Sequence, residues 1–307
     1  MANARSAQGL GLSSHRVTSD KPRLLAVDLD GTLLDPRGQP HEHDVRALRA
    51  AIAAGVRVSV ITGRLYSGTR PISERIGLRT ALGCADGSHI VDARDHATLL
   101  HLGMRGTQVA ILRGALARAG VTTFVFAADA IGHDPSGSRY VGYVSTWSSD
   151  VRVAPDVFTH DLWDSSEGVT AAVALGTRER IAQVHAEIAR DLPKSAFVAV
   201  FPVRRGPHAE TWAMIVRAGG GTKGTALRWI AEREGIALAD TVCVGDWLND
   251  IPMFEIAGRS FAMGQAPHEV KSTATDVLEE TPESGGGVAR VVREAFGIAV
   301  DSARLTE

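Results

Sequence analysis

Residues 24–34 read LLAVDLDGTLL, and the rest of the chain can be interpreted from this stretch. Its apolar beginning, Leu24–Val27, is typical of a buried strand in a parallel sheet. Because ligands of open α/β sheets bind at the carboxyl ends of such strands, we expect Asp28 and Asp30 to lie side by side at a binding edge. One carboxylate there could attack a substrate or hold a cation, while the other moves a proton. Asp and Gly are also ordinary turn residues, so this motif alone leaves a simple turn as an alternative.

Length and composition restrict the class of protein. A chain of 307 residues favours two domains, and a formal net charge of −2 argues against a general nucleic-acid binder. The two cysteines, Cys84 and Cys243, lie in apolar runs and predict no disulfide framework. No run reaches the roughly 18 apolar residues of a membrane helix, and residues 1–20 lack the apolar core of a secretory signal. We therefore expect a flexible polar tail at residues 1–20 and a cytoplasmic enzyme with no membrane or nucleic-acid partner.

A second strand end with a polar residue follows a predicted helix. Asp44 can cap a helix that ends at Gly55, and residues 57–61 (RVSVI) then predict a strand that ends at Thr62 and Gly63. A strand, a helix and a strand in this order form a βαβ unit with parallel strands, so Thr62 is expected at the same edge as the first two aspartates. Its hydroxyl could bind an anion, and Gly63 would let the backbone approach closely. A β-branched residue that merely ends a strand is the alternative.

The pattern changes between this strand and residue 218. Residues 78–84 predict a third strand, which is followed by a turn at residues 85–88 (ADGS). From about residue 90 the order helix, strand, strand occurs twice, with strands expected at residues 124–127, 140–145, 197–203 and 211–216. We interpret this weak repeat as an inserted α+β domain built on an antiparallel sheet, in which the polar residues 146–168 allow no assignment.

A lysine opens the helix that follows the glycine run at residues 219–221. Lys223 precedes the apolar face of this helix, which ends at Gly235. A positive charge at the beginning of a helix opposes the helix dipole, so an anion is expected near Lys223. The beginnings of helices are also common anion sites. A solvated lysine is the alternative.

The last polar cluster follows another apolar run. Residues 241–244 (TVCV) predict a buried strand, and the sequence GDWLND follows directly. Asp246, Asn249 and Asp250 offer the oxygen ligands that Mg²⁺ prefers in proteins. Asn249 or Asp250 could instead cap the next helix.

Together these motifs resemble the haloacid dehalogenase superfamily of phosphohydrolases. The four motifs of that family occur in order, as DLDGT at residues 28–32, Thr62, Lys223 within TKGTAL, and GDWLND at residues 245–250. The long insertion between the second and third motifs resembles the Cof-like branch, whose members carry a large α/β cap. One departure is Asp86, which stands before a glycine where the family often has an Asn-Gly pair at the entrance to the cap.

The resemblance implies an α/β fold with a doubly wound, mostly parallel, Rossmann-like core sheet and an inserted α+β cap domain. The core is expected from residues 21–85 and 219–307, and the cap, which would set substrate specificity, from residues 86–218. The departure at Asp86 leaves the details of the cap hinge or of the substrate contact open.

The resemblance also implies roles for individual residues. Asp28 would attack phosphorus and form an aspartyl phosphate, and Asp30 would act first as an acid and then as a base. Mg²⁺ would be held by Asp28, Asp246 and the backbone carbonyl of Asp30. The phosphoryl oxygens would be held by the Leu29 amide together with Thr62, Gly63, Lys223 and Asn249.

We therefore expect a Mg²⁺-dependent phosphatase that hydrolyses a small phosphomonoester, such as a sugar phosphate, and is a monomer or homodimer. A dedicated phosphatase of a glycosyl phosphoglycerate or a disaccharide phosphate, and a phosphomutase, are alternatives with the same core. A response-regulator receiver also phosphorylates an aspartate on a doubly wound sheet, but it is one small domain and would lack the acid at Asp30. An inactive sugar-phosphate binding module is a further alternative, against which the intact aspartates and Lys223 argue.

Overall fold

The computed structural model describes residues 23–192, 196–203 and 210–299, so the tail expected at residues 1–20 lies outside the described residues. The strands of these ranges are, in chain order, β1 Leu24–Val27, β2 Arg57–Val60, β3 Leu82–Cys84, β4 His89–Val91, β5 Thr98–His101, β6 Thr122–Ala127, β7 Ala130–His133, β8 Val151–Val153, β9 Val169–Gly176, β10 Ala196–Pro202, β11 Trp212–Ala218, β12 Thr241–Gly245, β13 Arg259–Ala262 and β14 Asp276–Val277. The helices are α1 Glu42–Ala53, α2 Tyr66–Ile76, α3 Thr107–Ala119, α4 Val141–Val144, α5 Arg178–Asp191, α6 Lys223–Arg233, α7 Ile251–Phe254, α8 His268–Thr273 and α9 Gly287–Phe296. None of these helices is both long and apolar enough to span a membrane.

The first sheet contains five parallel strands in the order β14-β13-β12-β1-β2. Helices α1, α2 and α9 pack on one face, and α6, α7 and α8 pack on the other. All four residues of β1 are buried, because this strand lies inside the sheet and is covered on both faces. The predicted doubly wound α/β fold is therefore confirmed.

A second sheet of six strands, in the order β10-β11-β9-β6-β7-β8, is formed by residues 122–218. Its neighbouring strands are antiparallel except for the pair β7 and β8. Helices α3 and α5 cover one face through a hydrophobic cluster of their own. The cap boundaries at residues 86 and 218 stay a prediction, which the separate sheets and clusters support.

A small antiparallel sheet, β3-β4-β5, lies where the chain leaves the core. The strand expected at residues 78–84 is shorter than predicted and comprises Leu82–Cys84. It touches the core sheet through one parallel bridge between Ile61 and Gly83. The small sheet thus continues the carboxyl edge of β2 toward the inserted segment, residues 86–218.

The strand predicted at residues 140–145 is wrong. This region forms a 3-10 helix, Pro135–Tyr140, followed directly by α4. Asp134 caps the 3-10 helix by accepting a hydrogen bond from the Ser136 amide at 2.9 Å. Tyr140 and Val144, four residues apart, are buried in the same cluster, as expected for one face of a helix rather than for a strand.

The inserted segment contacts the core at the beginning of α2. The Leu65 amide donates to the Trp147 carbonyl at 2.8 Å, and the Ser67 amide donates to Asp129 Oδ1 at 2.9 Å. Gly68 allows this approach, because a Cβ at this position would lie 2.7 Å from the Trp147 carbonyl oxygen. We call these contacts the α2 latch.

Asp44 does not cap the helix that contains it, contrary to prediction. Helix α1 begins at Glu42, and Asp44 is buried on its inner face. Its two carboxylate oxygens accept hydrogen bonds from the Gly286 amide at 2.9 Å and the Ala289 amide at 2.7 Å. Asp44 therefore caps α9, where its negative charge also complements the helix dipole.

We expect Asp44→Ala to lower the free energy of unfolding by about 2–4 kcal/mol, since a cap is lost and two backbone amides, one buried and one partly buried, lose a charged acceptor. Urea denaturation followed by circular dichroism measures this change. Glu42→Ala is the matched control, because Glu42 lies in the same helical turn and its side chain is exposed in an ion pair with Arg75. Equal losses in the two variants would contradict the capping role.

Candidate active site

Asp28 and Asp30 lie at the carboxyl end of β1, beside β12. The Asp28 amide donates to the Val244 carbonyl at 3.1 Å, which carries the strand ladder up to the first aspartate. Gly31 then turns the chain with a φ of 85° and passes close to Asp246. A Cβ at Gly31 would lie 2.2 Å from Asp246 Oδ2, so this position requires glycine for both its conformation and its space.

Lys223 is buried between two carboxylates. Its ammonium nitrogen lies 2.5 Å from Asp28 Oδ1 and 2.6 Å from Asp250 Oδ1, and its side chain is 1% exposed. The lysine stands in the first turn of α6, whose N-cap Thr222 accepts a hydrogen bond from the Thr225 amide. The anion expected near this helix beginning is therefore supplied by the protein itself, as two aspartates.

Asp250 organises the loop after β12. Its Oδ2 accepts hydrogen bonds from the amides of Asp246 and Trp247, each at 2.8 Å, while its other oxygen contacts Lys223. Sequence reasoning treated Asp250 only as a possible ligand or cap. The available signal was an aspartate three residues after Trp247 in the turn that follows β12, because such side chains commonly bind the amides of their own turn.

Burial and charge act on the ionisation of this cluster. Burial alone would lower the pKa of Lys223, but Asp250 and Asp28 outweigh burial and raise it. Burial raises the pKa of Asp28 well above its usual range, and the Lys223 ammonium opposes this shift. A divalent cation beside Asp28 would also favour the ionised carboxylate.

Arg64 holds Asp30 from the second strand end. Its Nε and one terminal nitrogen donate to the two carboxylate oxygens of Asp30 at 2.7 and 2.6 Å. The arginine side chain is 7% exposed, while that of Asp30 is 39% exposed. This two-point contact fixes the direction of the Asp30 carboxylate. Sequence reasoning missed Arg64, although it directly follows Thr62 and Gly63.

The remaining predicted phosphate ligands lie around this edge. Leu29 stands between the two aspartates, and Thr62 is buried with its Oγ1 accepting from the Arg64 amide at 3.2 Å. Asn249 donates through Nδ2 to Asp86 Oδ1 at 2.8 Å. A Cβ at Gly63 would lie 3.4 Å from that same Asp86 oxygen. The structure thus brings these residues to one edge, and their roles stay predictions.

Asp86 is paired with a buried arginine of the inserted segment. Its Oδ2 lies 3.1 Å from Arg217 Nη1, and Arg217 also donates to the Ala85 carbonyl at 2.9 Å. The Arg217 side chain is 5% exposed, and its guanidinium carbon lies 4.3 Å from the centre of the Phe197 ring. The residue that departs from the family pattern therefore has a specific partner.

The donor set of this site fits a divalent cation. Oxygen atoms of Asp28, Asp246 and Asp250 lie within 4.8 Å of one another. The aspartates of the site are Asp28, Asp30, Asp86, Asp246 and Asp250, and the cations paired with them are Arg64, Lys223 and Arg217. When all are ionised, two negative charges remain, which is the charge that one divalent cation neutralises. Since Asp250 already binds Lys223 and two amides, Asp28 and Asp246 are the better placed ligands.

A sequence model of the haloacid dehalogenase-like hydrolases matches residues 25–292. The chain belongs to this family. The expectations of this family and of an enzyme are thereby confirmed, and relatives named as phosphatases agree with them.

Similar proteins of this family cover most of the chain. Pyridoxal phosphate phosphatase YbhA of Escherichia coli (strain K12) is 28% identical in an alignment of 273 residues that covers 83% of this chain and 93% of YbhA. A haloacid dehalogenase-like hydrolase from Bacteroides thetaiotaomicron has the same fold, with a TM-score of 0.77 at 21% identity over 90% of this chain and 100% of its own. The sugar phosphatase BT4131, of HAD subclass IIB, has a TM-score of 0.69 at 21% identity over 88% of this chain and 98% of its own.

We expect Asp250→Asn to lower the free energy of unfolding by about 3 kcal/mol, because it breaks a buried charge pair and places an amide donor toward other donors. Urea denaturation in the presence of a chelator measures this loss without a contribution from bound metal. Glu255→Gln, an exposed charge change in the same part of the chain, is the control. An Asp250→Asn protein as stable as the parent would contradict the central role of this pair.

Proposed function

We propose that this protein is a Mg²⁺-dependent phosphatase that hydrolyses a small phosphomonoester through an aspartyl-phosphate intermediate. The observation that carries the proposal is the buried contact of Lys223 with Asp28 and Asp250, with Asp246 close by. This arrangement gives a carboxylate nucleophile, a fixed cation for the transferred group and oxygen ligands for a metal at one sheet edge.

In the proposed reaction, an Asp28 oxygen attacks phosphorus while the bond from phosphorus to the leaving oxygen breaks. Asp30 gives its proton to that oxygen and later takes a proton from the water that hydrolyses the aspartyl phosphate. Arg64 donates to both Asp30 carboxylate oxygens and would restrict the orientations that this side chain adopts. The proposal thus assigns a residue of this sheet edge to each step.

Asp28, Asp246 and the backbone carbonyl of Asp30 would hold the metal. Bound Mg²⁺ neutralises charge on the carboxylate and the phosphate, which allows two anions to approach each other. Lys223 adds a positive charge, and its attraction to phosphate would be strong because a buried site screens charges less than water does.

The transferred phosphoryl group would be held by the Leu29 amide and by Thr62, Gly63, Lys223 and Asn249. Phosphoryl transfer depends mainly on positioning and on charge stabilisation, and a site closed to water strengthens both effects. The inserted segment, which contacts the core at the α2 latch, would exclude water as a cap.

Two classes of leaving group are supported by different observations. A sugar phosphate is supported by the fold shared with the sugar phosphatase BT4131. A flat or apolar leaving group is supported by the face of the six-stranded sheet toward the core, where Phe201, Ile215 and Trp147 are only half-buried. YbhA, named for pyridoxal phosphate, is a relative with that kind of substrate. The cytoplasmic location and the monomer or homodimer state stay predictions.

We expect purified protein to release phosphate from small phosphomonoesters only when a divalent metal is present, because two carboxylates and a phosphate dianion repel one another. Phosphate release is measured with p-nitrophenyl phosphate, a hexose phosphate and pyridoxal phosphate, first after treatment with chelator and then after addition of Mg²⁺. Full turnover in metal-free protein would contradict the metal requirement. Comparison of kcat/KM across the panel separates the two classes of leaving group.

We expect Asp30→Asn to retain the first chemical step with p-nitrophenyl phosphate and to lose turnover of alkyl phosphates. Nitrophenolate leaves without a proton, whereas an alkoxide needs one, and acid or base catalysis is typically worth about 10²–10⁴-fold. The second step still needs a base, so the aspartyl phosphate should accumulate. Rapid mixing should show a burst of nitrophenolate near one equivalent of enzyme, followed by a slow phase.

Asp28→Asn is the control for that experiment, since it lacks the nucleophile and should give neither burst nor turnover. Steady turnover of Asp30→Asn at the parent rate with both kinds of substrate would mean that Asp30 is not the acid and base.

A further inference from the structure

The turn at residues 85–87, where the chain first leaves the core, has an unusual backbone. Ala85, Asp86 and Gly87 all have positive φ angles, of 48°, 53° and 89°. Residues other than glycine rarely adopt this left-handed backbone region unless the surrounding structure holds them there, and such residues occur often at functional sites. Here the Ala85 amide donates to the Arg64 carbonyl at 2.8 Å, and the Asp86 amide donates to the Thr62 carbonyl at 2.9 Å.

The consequence of this turn is the direction of the Asp86 carboxylate. One oxygen accepts from Asn249 Nδ2 at 2.8 Å, and the other lies 3.1 Å from Arg217 Nη1. Asp86 therefore connects the first crossing of the chain, the last strand of the inserted segment and the loop after β12. The two crossings also touch directly, since a Cβ at Gly87 would lie 2.4 Å from the Thr222 carbonyl oxygen.

Arg217 is matched to this carboxylate by burial and by charge. Its side chain is 5% exposed, it lies against the Phe197 ring, and its Nε is buried without a hydrogen-bond partner. A buried guanidinium is costly unless an anion is close. Conversely, Asp86 without Arg217 would place an unpaired carboxylate, 16% exposed, beside the residues proposed to hold phosphate.

We propose that Asp86 and Arg217 form one charge-matched pair that positions Asn249 for the phosphoryl group. This inference rests on the proposed phosphatase function. One carboxylate oxygen accepts from Asn249, and the other lies 3.1 Å from Arg217 Nη1, so the carboxylate that pairs with the arginine also fixes the Asn249 amide. Asp86 and Arg217 are positioning residues, because they act on phosphate through Asn249.

An asparagine at position 86 cannot satisfy both neighbours. Its side-chain amide has one oxygen, which can face either Asn249 or Arg217, and the NH₂ group then faces the other donor. Removal of the Arg217 charge as well removes this conflict, since the amide oxygen is then available to Asn249. Replacement of Asp86 and Arg217 together should therefore preserve phosphate binding, whereas replacement of Asp86 alone should weaken it.

The test compares Asp86→Asn, Asp86→Asn with Arg217→Met, and Asp86→Asn with Asn249→Ala. The readouts are the inhibition constant of inorganic phosphate, and KM and kcat for p-nitrophenyl phosphate with Mg²⁺. We expect Asp86→Asn to raise the inhibition constant and KM about tenfold, in line with the loss of one partner of a buried charged contact, and to change kcat less. With Arg217→Met added, both constants should return to within about threefold of the parent.

The Asn249→Ala background shows whether Asp86 acts through Asn249. Asn249→Ala alone should weaken phosphate binding, and Asp86→Asn should then cause no further weakening. The control is Arg190→Met, which removes one partner of the exposed pair with Asp191 on α5 and should leave all constants unchanged.

Several outcomes would overturn the proposal. These are a lower inhibition constant in Asp86→Asn, unchanged binding in that variant, no recovery on addition of Arg217→Met, or equal weakening with and without Asn249. If Asp86→Asn does not fold, the double variant Asp86→Asn with Arg217→Met still tests the proposal. Phosphate binding within about threefold of the parent would support the charge-matched pair, and much weaker binding would overturn it. Parent protein that neither hydrolyses phosphomonoesters nor binds phosphate would instead overturn the proposed function.

Discussion

The buried ammonium of Lys223 between Asp28 and Asp250 is the contact on which the rest of the site depends. An isolated charge in this position would be strongly unfavourable, and two carboxylates at 2.5 and 2.6 Å offset that cost. Asp28 and Lys223 are 195 positions apart in the chain, so the contact joins the two parts of the core that the inserted segment separates. The site can therefore form only when both parts of the core sheet and α6 have assembled.

The sequence predicted the core strands well where a strand is covered on both faces of the sheet, because such strands read as short runs of mostly apolar residues. Strands β1 and β12 are largely apolar runs, and β2 (RVSV) is buried from Val58 to Val60. Each strand is followed by a polar motif, and the parallel pairing places Asp28, Thr62 and Asp246 at one edge. Contacts between those motifs were harder to predict, because they depend on tertiary packing. Arg64 could have been suspected from its position after Thr62, but its partner Asp30 is visible only in the folded chain.

The errors have related physical causes. The sequence around Asp44 is typical of a local helix cap. Its carboxylate instead accepts hydrogen bonds from amides more than two hundred positions away, and a local sequence pattern carries no information about such contacts. Strand β9 was not assigned, because its run of small apolar residues is buried on both faces between β11 and β6 and shows no alternation of polar and apolar residues. Residues 140–145 have the β-branched and aromatic content of a strand, but Asp134 and Pro135 begin a helical turn just before them.

The α2 latch places the contact with the inserted segment immediately beside the arginine that holds Asp30. Leu65 and Ser67 bind Trp147 and Asp129, and Arg64 is the residue directly before Leu65. A movement of the inserted segment that breaks these hydrogen bonds would also displace the backbone of residues 64–67. In the proposed mechanism, the hydrogen bonds that hold the inserted segment and the arginine that holds Asp30 would share one stretch of backbone, so that release of product would be coupled mechanically to proton transfer by Asp30.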